Sequence, residues 1–374
     1  MGSRLRLIWD IFIAAAIVGI TSYIIYDAIA DNEEKTTTTA MPTTTTLSDS
    51  DYADSIKVCT NPHEKLEHPE KYPESPLDEY VWRDDGAFNF EVMSNEVVST
   101  ANGDMQVIKA NFTSQLWLPD EDWHLEATGN KYWIHWLTIF VPLPDHKYYD
   151  ERLVNTAALL VEGGSNKKGE TGPPDGTTLG TFLGKRFASF SGAVSISLEQ
   201  IPNGRMRFKD WNNGNSGLGG DDLIGYTWRR FLETGGTEHE RLLLMPMAKA
   251  AVLAFNATSD ILQQEQCGRI GSKHPCRKAP LEKYMPWGYS KRGWTAWLTA
   301  AVDYKRVAAV NPIVLSFLNM IPNFHHYWRA FGGWSFAMAP YYKQNITKTL
   351  DDPLNIEAAK ILDPYTFKGV VVEN

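Results

Sequence analysis

The chain has 374 residues, a net charge of −9, 12% aromatics and 13 tryptophans, an ordinary globular composition with room for one large domain of roughly 300 residues. An acidic balance without a basic tract leaves no electrostatic footprint for nucleic acid. No His, Cys and Asp spacing matches a zinc site, and no cofactor or metal is expected.

Residues 1–6 carry Arg4 and Arg6 as a short cytoplasmic tail. An apolar run from Leu7 to Tyr26 follows, interrupted only by Asp10. As a helix it is long enough to cross about 30 Å of hydrocarbon. Asp27, Asp31, Glu33 and Glu34 come next, so the positive-inside rule sends the rest of the chain across. Residues 7–30 therefore read as a signal-anchor helix tying the protein to a membrane, with an extracellular or luminal domain. The alternative is cleavage after Ala28-Ile29-Ala30 and secretion. The apolar run exceeds the usual signal core of about 7–15 residues, which favours the anchor. Gly2 starts no myristoylation motif, because Arg6 stands where Ser or Thr is needed.

Residues 31–75 read as linker, with Thr36–Thr39, Pro42 and Thr43–Thr46 forming an O-glycosylated stalk. Outside the cytosol, Asn111, Asn256 and Asn345 are sequons for N-glycosylation. Cys267 and Cys276 bracket a short polar loop and are expected to pair there, two free thiols being the alternative. Cys59 is left over.

The domain is assigned to 76–374. "FNFEVMSNEVV" and "MQVIKANFTSQLWLP" alternate apolar and polar residues around Asn102-Gly103-Asp104, predicting two strands with a long connection. "WIHWLTIFVP" (133–142) and "TAALLVEGG" (156–164) are continuously apolar, as strands covered on both faces are. "GAVSISLEQIP" (192–202) is a further strand. Helices are predicted over 221–232, with acids in the first turn, and over 243–262. A third follows at "GWTAWLTAAV", then a strand at 307–315. Antiparallel strands first, then alternating strand and helix, predict an α/β sheet with helices on both faces.

Ser290 stands in Gly288-Tyr289-Ser290-Lys291-Arg292-Gly293, between an apolar run and a helix. A nucleophile elbow needs strand, sharp turn and helix, with small residues flanking the serine; Gly288 and Gly293 supply them. Lys291 opens the helix whose backbone N–H groups would face an oxyanion. Gly163 and Gly164, at the end of an apolar strand, are candidates for the second donor, a plain turn being the alternative. Pro286 argues against a regular elbow strand, since it costs a ladder hydrogen bond.

The segments "LDEYVWRDDGAFNFEV", "WIHWLTIFVP", "GGSN", "DDLIGYTWRRFL", "GYSKRGWTAWLTAAVD" and "GGWSFAMAPYY" together resemble the PhoPQ-activated pathogenicity-related family, from about Leu77 to the last residues. The resemblance implies an α/β-hydrolase fold with Ser290 at the nucleophile position. It also implies a family containing secreted hydrolases, peptidase relatives and an extracellular growth signal. The proline in "KYMPWG", the anchor and the stalk depart from the family pattern. In this fold an acid and then a histidine follow the serine, and the segment expected to deliver them is absent, so the domain is read as lacking its last strands.

Only His325 and His326 follow Ser290. Asp303 lies about a dozen residues along the helix, about 18 Å away at 1.5 Å per residue. Asp351, Asp352 and Asp363 follow the histidines. His325 and His326 are read as partly buried members of an aromatic cluster, and His135 as a strand histidine. The expected function is a hydrolase-like ectodomain that binds an extracellular protein or a small ester or peptide without turnover. The alternatives are an active serine hydrolase using Ser290 and a growth-regulating signal protein.

Overall fold

The alternating stretches form β1 (Asn89–Thr100) and β2 (Gly103–Leu116), paired antiparallel with Thr100 opposite Gly103. The predicted long connection is instead a two-residue turn, Ala101-Asn102. Gly103 sits at φ 115° immediately beyond it, and a Cβ there would lie 2.6 Å from the His146 Cα. A side chain at that position has neither the conformation nor the room.

The computed structural model describes residues 75–368, apart from 125–130, 165–177, 212–216, 267–280 and 316. These belong to one unit, Ile56–Asn374. Leu7–Tyr26, the threonine stalk, Cys59, Cys267 and Cys276 lie outside the described residues. No described helix is long and apolar enough to cross a membrane.

After α1 (Pro76–Trp82) and the hairpin come β3 (Tyr132–Pro142), β4 (Thr156–Val161), α2 (Leu179–Ser191), β5 (Val194–Leu198), α3 (Gly220–Glu233) and α4 (Leu244–Gln266). Then follow β6 (Lys283–Tyr289), α5 (Lys291–Val302), β7 (Asn311–Ile313), α6 (Met320–Phe331), α7 (Ala339–Lys343) and α8 (Pro353–Leu362). The seven strands form one sheet in the order β1-β2-β3-β5-β4-β6-β7. The β1, β2, β3 and β5 pairings are antiparallel; β5, β4, β6 and β7 run parallel.

Side-chain alternation on β4 explains the layers. Ala158 and Leu160 face Leu183 and Phe187 of α2, whereas Ala157, Leu159 and Val161 join the larger core on the opposite face. That core centres on α4, where Met247 to Phe255 are all fully buried. A helix apolar all round belongs in an interior. This strand order, its parallel half and the β6–α5 elbow give the domain an α/β-hydrolase-like fold.

The strand expected over 307–315 is shorter. Pairing covers only Asn311–Ile313, with an isolated bridge from Tyr284 to Val307. That gap accommodates Pro286. Tyr284 N and Ser290 N both donate to this side of β6, to Arg306 O and Ile313 O. Backbone donors alternate along a strand, so the N–H that Pro286 lacks would face the same side, between the bridge and β7. The proline removes a bond that no described neighbouring strand is placed to accept.

Candidate functional site

β6 ends and α5 begins at Ser290, whose backbone stands at φ 53° and ψ −123°. Positive φ is costly for a side chain with a Cβ and persists only where the surroundings impose it. Here they do: Ser290 N donates to Ile313 O at 2.9 Å, and Ser290 O accepts from Trp294 N at 3.0 Å. Trp294 is fully buried and donates its indole N–H to Leu362 O at 2.6 Å, fixing α5 against α8. A Cβ on Gly288 would lie 2.9 Å from Arg292 C, Arg292 Cβ and Val161 O; one on Gly293 would lie 3.0 Å from Gly288 O. Both glycines are there because strand and helix approach that closely.

Ser290 is exposed and its hydroxyl makes no capping bond to α5. The first N–H groups of α5, Lys291 among them, have no intrahelical carbonyl to meet. The loop after β4 lies beside this turn, because Val161 is in register with Gly288. A Cβ on Gly163 would fall 2.5 Å from Arg292 Nη2. Gly163 O accepts from Gln200 N at 2.8 Å, and Gly163 N donates to Glu162 Oε1 at 2.6 Å. Of the two glycine donors predicted from sequence, Gly163 is thus committed to a neighbouring carboxylate. Gly164, at φ 128° and exposed, makes no described N–H bond.

The structure assigns the sequence-predicted partners elsewhere. Among the described residues no side chain hydrogen-bonds Ser290 Oγ. His325 Nε2 lies 2.8 Å from Asp351 Oδ1 in an exposed pair. The aromatic cluster of this region consists of Phe317, Phe324, Tyr327 and Tyr341. His325 is directed to Asp351 and His326 is exposed, which corrects the cluster reading. Asp303 is fully buried and paired with Arg306. Asp363 accepts from Asn319 N at 3.1 Å and Met320 N at 2.6 Å, closing the start of α6. Burial pushes its carboxyl above the usual range, against those N–H donors. His135 is a strand histidine, as read, and fully buried. Its Nδ1 lies 3.3 Å from the acceptor Glu199 O, so Nε2 accepts from Ser114 Oγ at 2.9 Å. Among the described residues no three His, Cys, Asp or Glu side chains gather to hold a metal. Of the sequons, Asn345 is exposed, while Asn111 and Asn256 are half-buried.

One residue escaped the sequence reading. Arg292 points back over the Gly163 turn, its Nε donating to Ile201 O at 2.7 Å. Burial pulls its guanidinium below the ordinary arginine value, with Glu162 and Asp221 opposing. Beside it, Lys291 pairs with Asp221 at 3.1 Å. The only local signal was a cation two places after the serine, which sequence alone does not distinguish from a solvated one.

The family model described as PhoPQ-activated pathogenicity-related protein matches residues 77–372. The chain belongs to that family. This PhoPQ-related chain is also 35% identical over 298 residues to autocrine proliferation repressor protein A of Dictyostelium discoideum. The alignment covers 79% of this chain and 52% of the relative, so the chain spans about half that relative's length. Among solved structures it overlaps acetyl xylan esterase 1 from a Thermoanaerobacterium species at 13% identity and TM-score 0.37, covering 81% of this chain and 80% of that one. An acetyl xylan esterase from a Paenibacillus species overlaps at 10% identity and TM-score 0.39, covering 86% and 80%. The fold of the PhoPQ-related chain is assigned from its strand order and elbow.

Proposed function

We propose that this chain is a hydrolase-like ectodomain, held at a membrane by its N-terminal apolar segment, that binds a small ester- or peptide-like ligand at Ser290 without turning it over. The observation that carries this reading is the state of Ser290. It is exposed on a strained elbow, yet its hydroxyl meets no described imidazole, while His325 is occupied by Asp351. A serine hydroxyl without a base to take its proton is a weak nucleophile. General-base assistance contributes about 10²–10⁴-fold to rate. Hydrolysis of p-nitrophenyl acetate by the purified protein is therefore expected to stay at the spontaneous rate.

The strain at Ser290 favours a second reading, an active serine hydrolase in which Lys291 N–H and Gly164 N–H steady the oxyanion. A positive-φ serine is a cost that active sites commonly retain. Ester turnover abolished by Ser290→Ala, and separately by His325→Ala or His326→Ala, would establish it and end the binding reading. A third reading follows from the Dictyostelium relative, whose name describes a repressor of proliferation: a shed ectodomain acting as a growth signal. It requires saturable binding of the purified ectodomain to a cell surface.

A further inference from the structure

A buried or half-buried arginine ordinarily has its charge met by a carboxylate, because removing a guanidinium from water is costly. Among the described residues Arg292 is tethered only through Nε, to the neutral carbonyl of Ile201 at 2.7 Å. Its Nη1 and Nη2 make no hydrogen bond or ion pair with any described group. Two acids attract it through space without a described hydrogen bond to it. Asp221 is paired with Lys291 at 3.1 Å, and Glu162 accepts from Gly163 N through Oε1 at 2.6 Å, while its buried Oε2 meets no described donor. The guanidinium lies against the Gly163 backbone, where a Cβ would be 2.5 Å from Nη2. Two backbone steps separate it from the exposed Ser290.

We infer that Arg292 recognises an anionic group on the ligand of this elbow, and that the group is a carboxylate near the carbonyl presented to Ser290. With Nε taken by Ile201, the Nη1–Nη2 edge remains, two parallel donors that match the two oxygens of a carboxylate. The fixed negative charges of Glu162 and Asp221 favour a monoanion over a phosphate dianion. The inference rests on the reading of the Ser290 elbow as a ligand site, and it is independent of whether that site turns a ligand over.

The test is titration calorimetry on the full chain at low salt, comparing N-acetyl-L-alanine with N-acetyl-L-alaninamide, which differ only in the terminal charge. The acid is expected to bind about tenfold more tightly, as a charge-assisted hydrogen-bonded pair contributes. Arg292→Lys keeps the charge but not the paired donors and is expected to remove most of that preference. Equal affinity for acid and amide on the unaltered protein, or no saturable binding of the acid, overturns the inference without any variant having to fold. Inorganic phosphate binding more tightly than the acid overturns the assignment to a carboxylate. Reaction of Ser290 with a neutral fluorophosphonate, read in parallel, separates the two claims. Labelling without acid preference sinks the Arg292 inference alone, and acid preference without labelling leaves it standing.

Discussion

Asp85→Ala is expected to destabilise the domain by about 3–5 kcal/mol, the usual result of stranding one partner of a buried ion pair. Lys249 lies on α4 with its side chain fully buried; its ammonium donates to Asp85 Oδ2 at 2.8 Å and to Arg83 O at 2.6 Å. It also stands 5.4 Å from the Tyr80 ring centre. Burial pulls the Lys249 ammonium below its ordinary value even with Asp85 beside it, so desolvation outweighs the attraction. Removing the carboxylate leaves that cost uncompensated. It also removes one of the two bonds by which Lys249 holds the segment between α1 and β1, leaving the one to Arg83 O. Adding Lys249→Met should recover most of the loss, since an apolar chain of similar length has no charge to desolvate. Urea denaturation of the two variants checks both statements. An Asp85→Ala protein within 1 kcal/mol of the original would show that the pair is not what holds this segment.

The second large effect is acid destabilisation through His135. Burial drives its pKa from 6.5 down to about 3, so the folded protein holds the neutral ring. The unfolded chain takes up a proton as pH falls through 6.5, and the folded one resists until about 3. Stability from this group is therefore complete above pH 6.5 and lost progressively below it, about 2 kcal/mol by pH 5. His135→Gln should lose about 2 kcal/mol less than the original protein between pH 7 and pH 5, with other titrating groups affecting both alike. Equal losses would place the acid sensitivity elsewhere. The position matters to the site, because His135 holds Glu199 O, and the adjoining Gln200 N holds Gly163 O at 2.8 Å.

Strands covered on both faces were legible because continuous apolar runs such as Thr156–Val161 have few other destinations. The elbow was legible because its glycines are required by close approach and stand at fixed offsets from the serine. Helix α2 was not legible. Gly180 and Gly184 interrupt "LGTFLGKRFASFS" and read as breakers, yet they allow the helix onto the sheet: a Cβ on Gly180 would lie 2.5 Å from Ser197 Oγ, and one on Gly184 2.9 Å from Phe140. Helix α6 was missed for another reason. Its start is capped by Asp363, 43 residues away from Met320, which no local pattern reveals. The shortness of the hairpin connection was not legible, because the conformational demand falls on Gly103, just beyond the two turn residues. Arg292 belongs with α6, since its meaning depends on Ile201 and Gly163, brought to it only by the sheet. Local chemistry announces the nucleophile's position, and only tertiary contacts disclose which groups are committed and which are open.

The central claim is that the hydroxyl at the elbow is displayed without being activated. Intact-mass spectrometry of the purified protein after exposure to a fluorophosphonate measures that directly. The account predicts a mass essentially unchanged. Stoichiometric addition, mapped to Ser290 and lost on denaturing the protein beforehand, would contradict it.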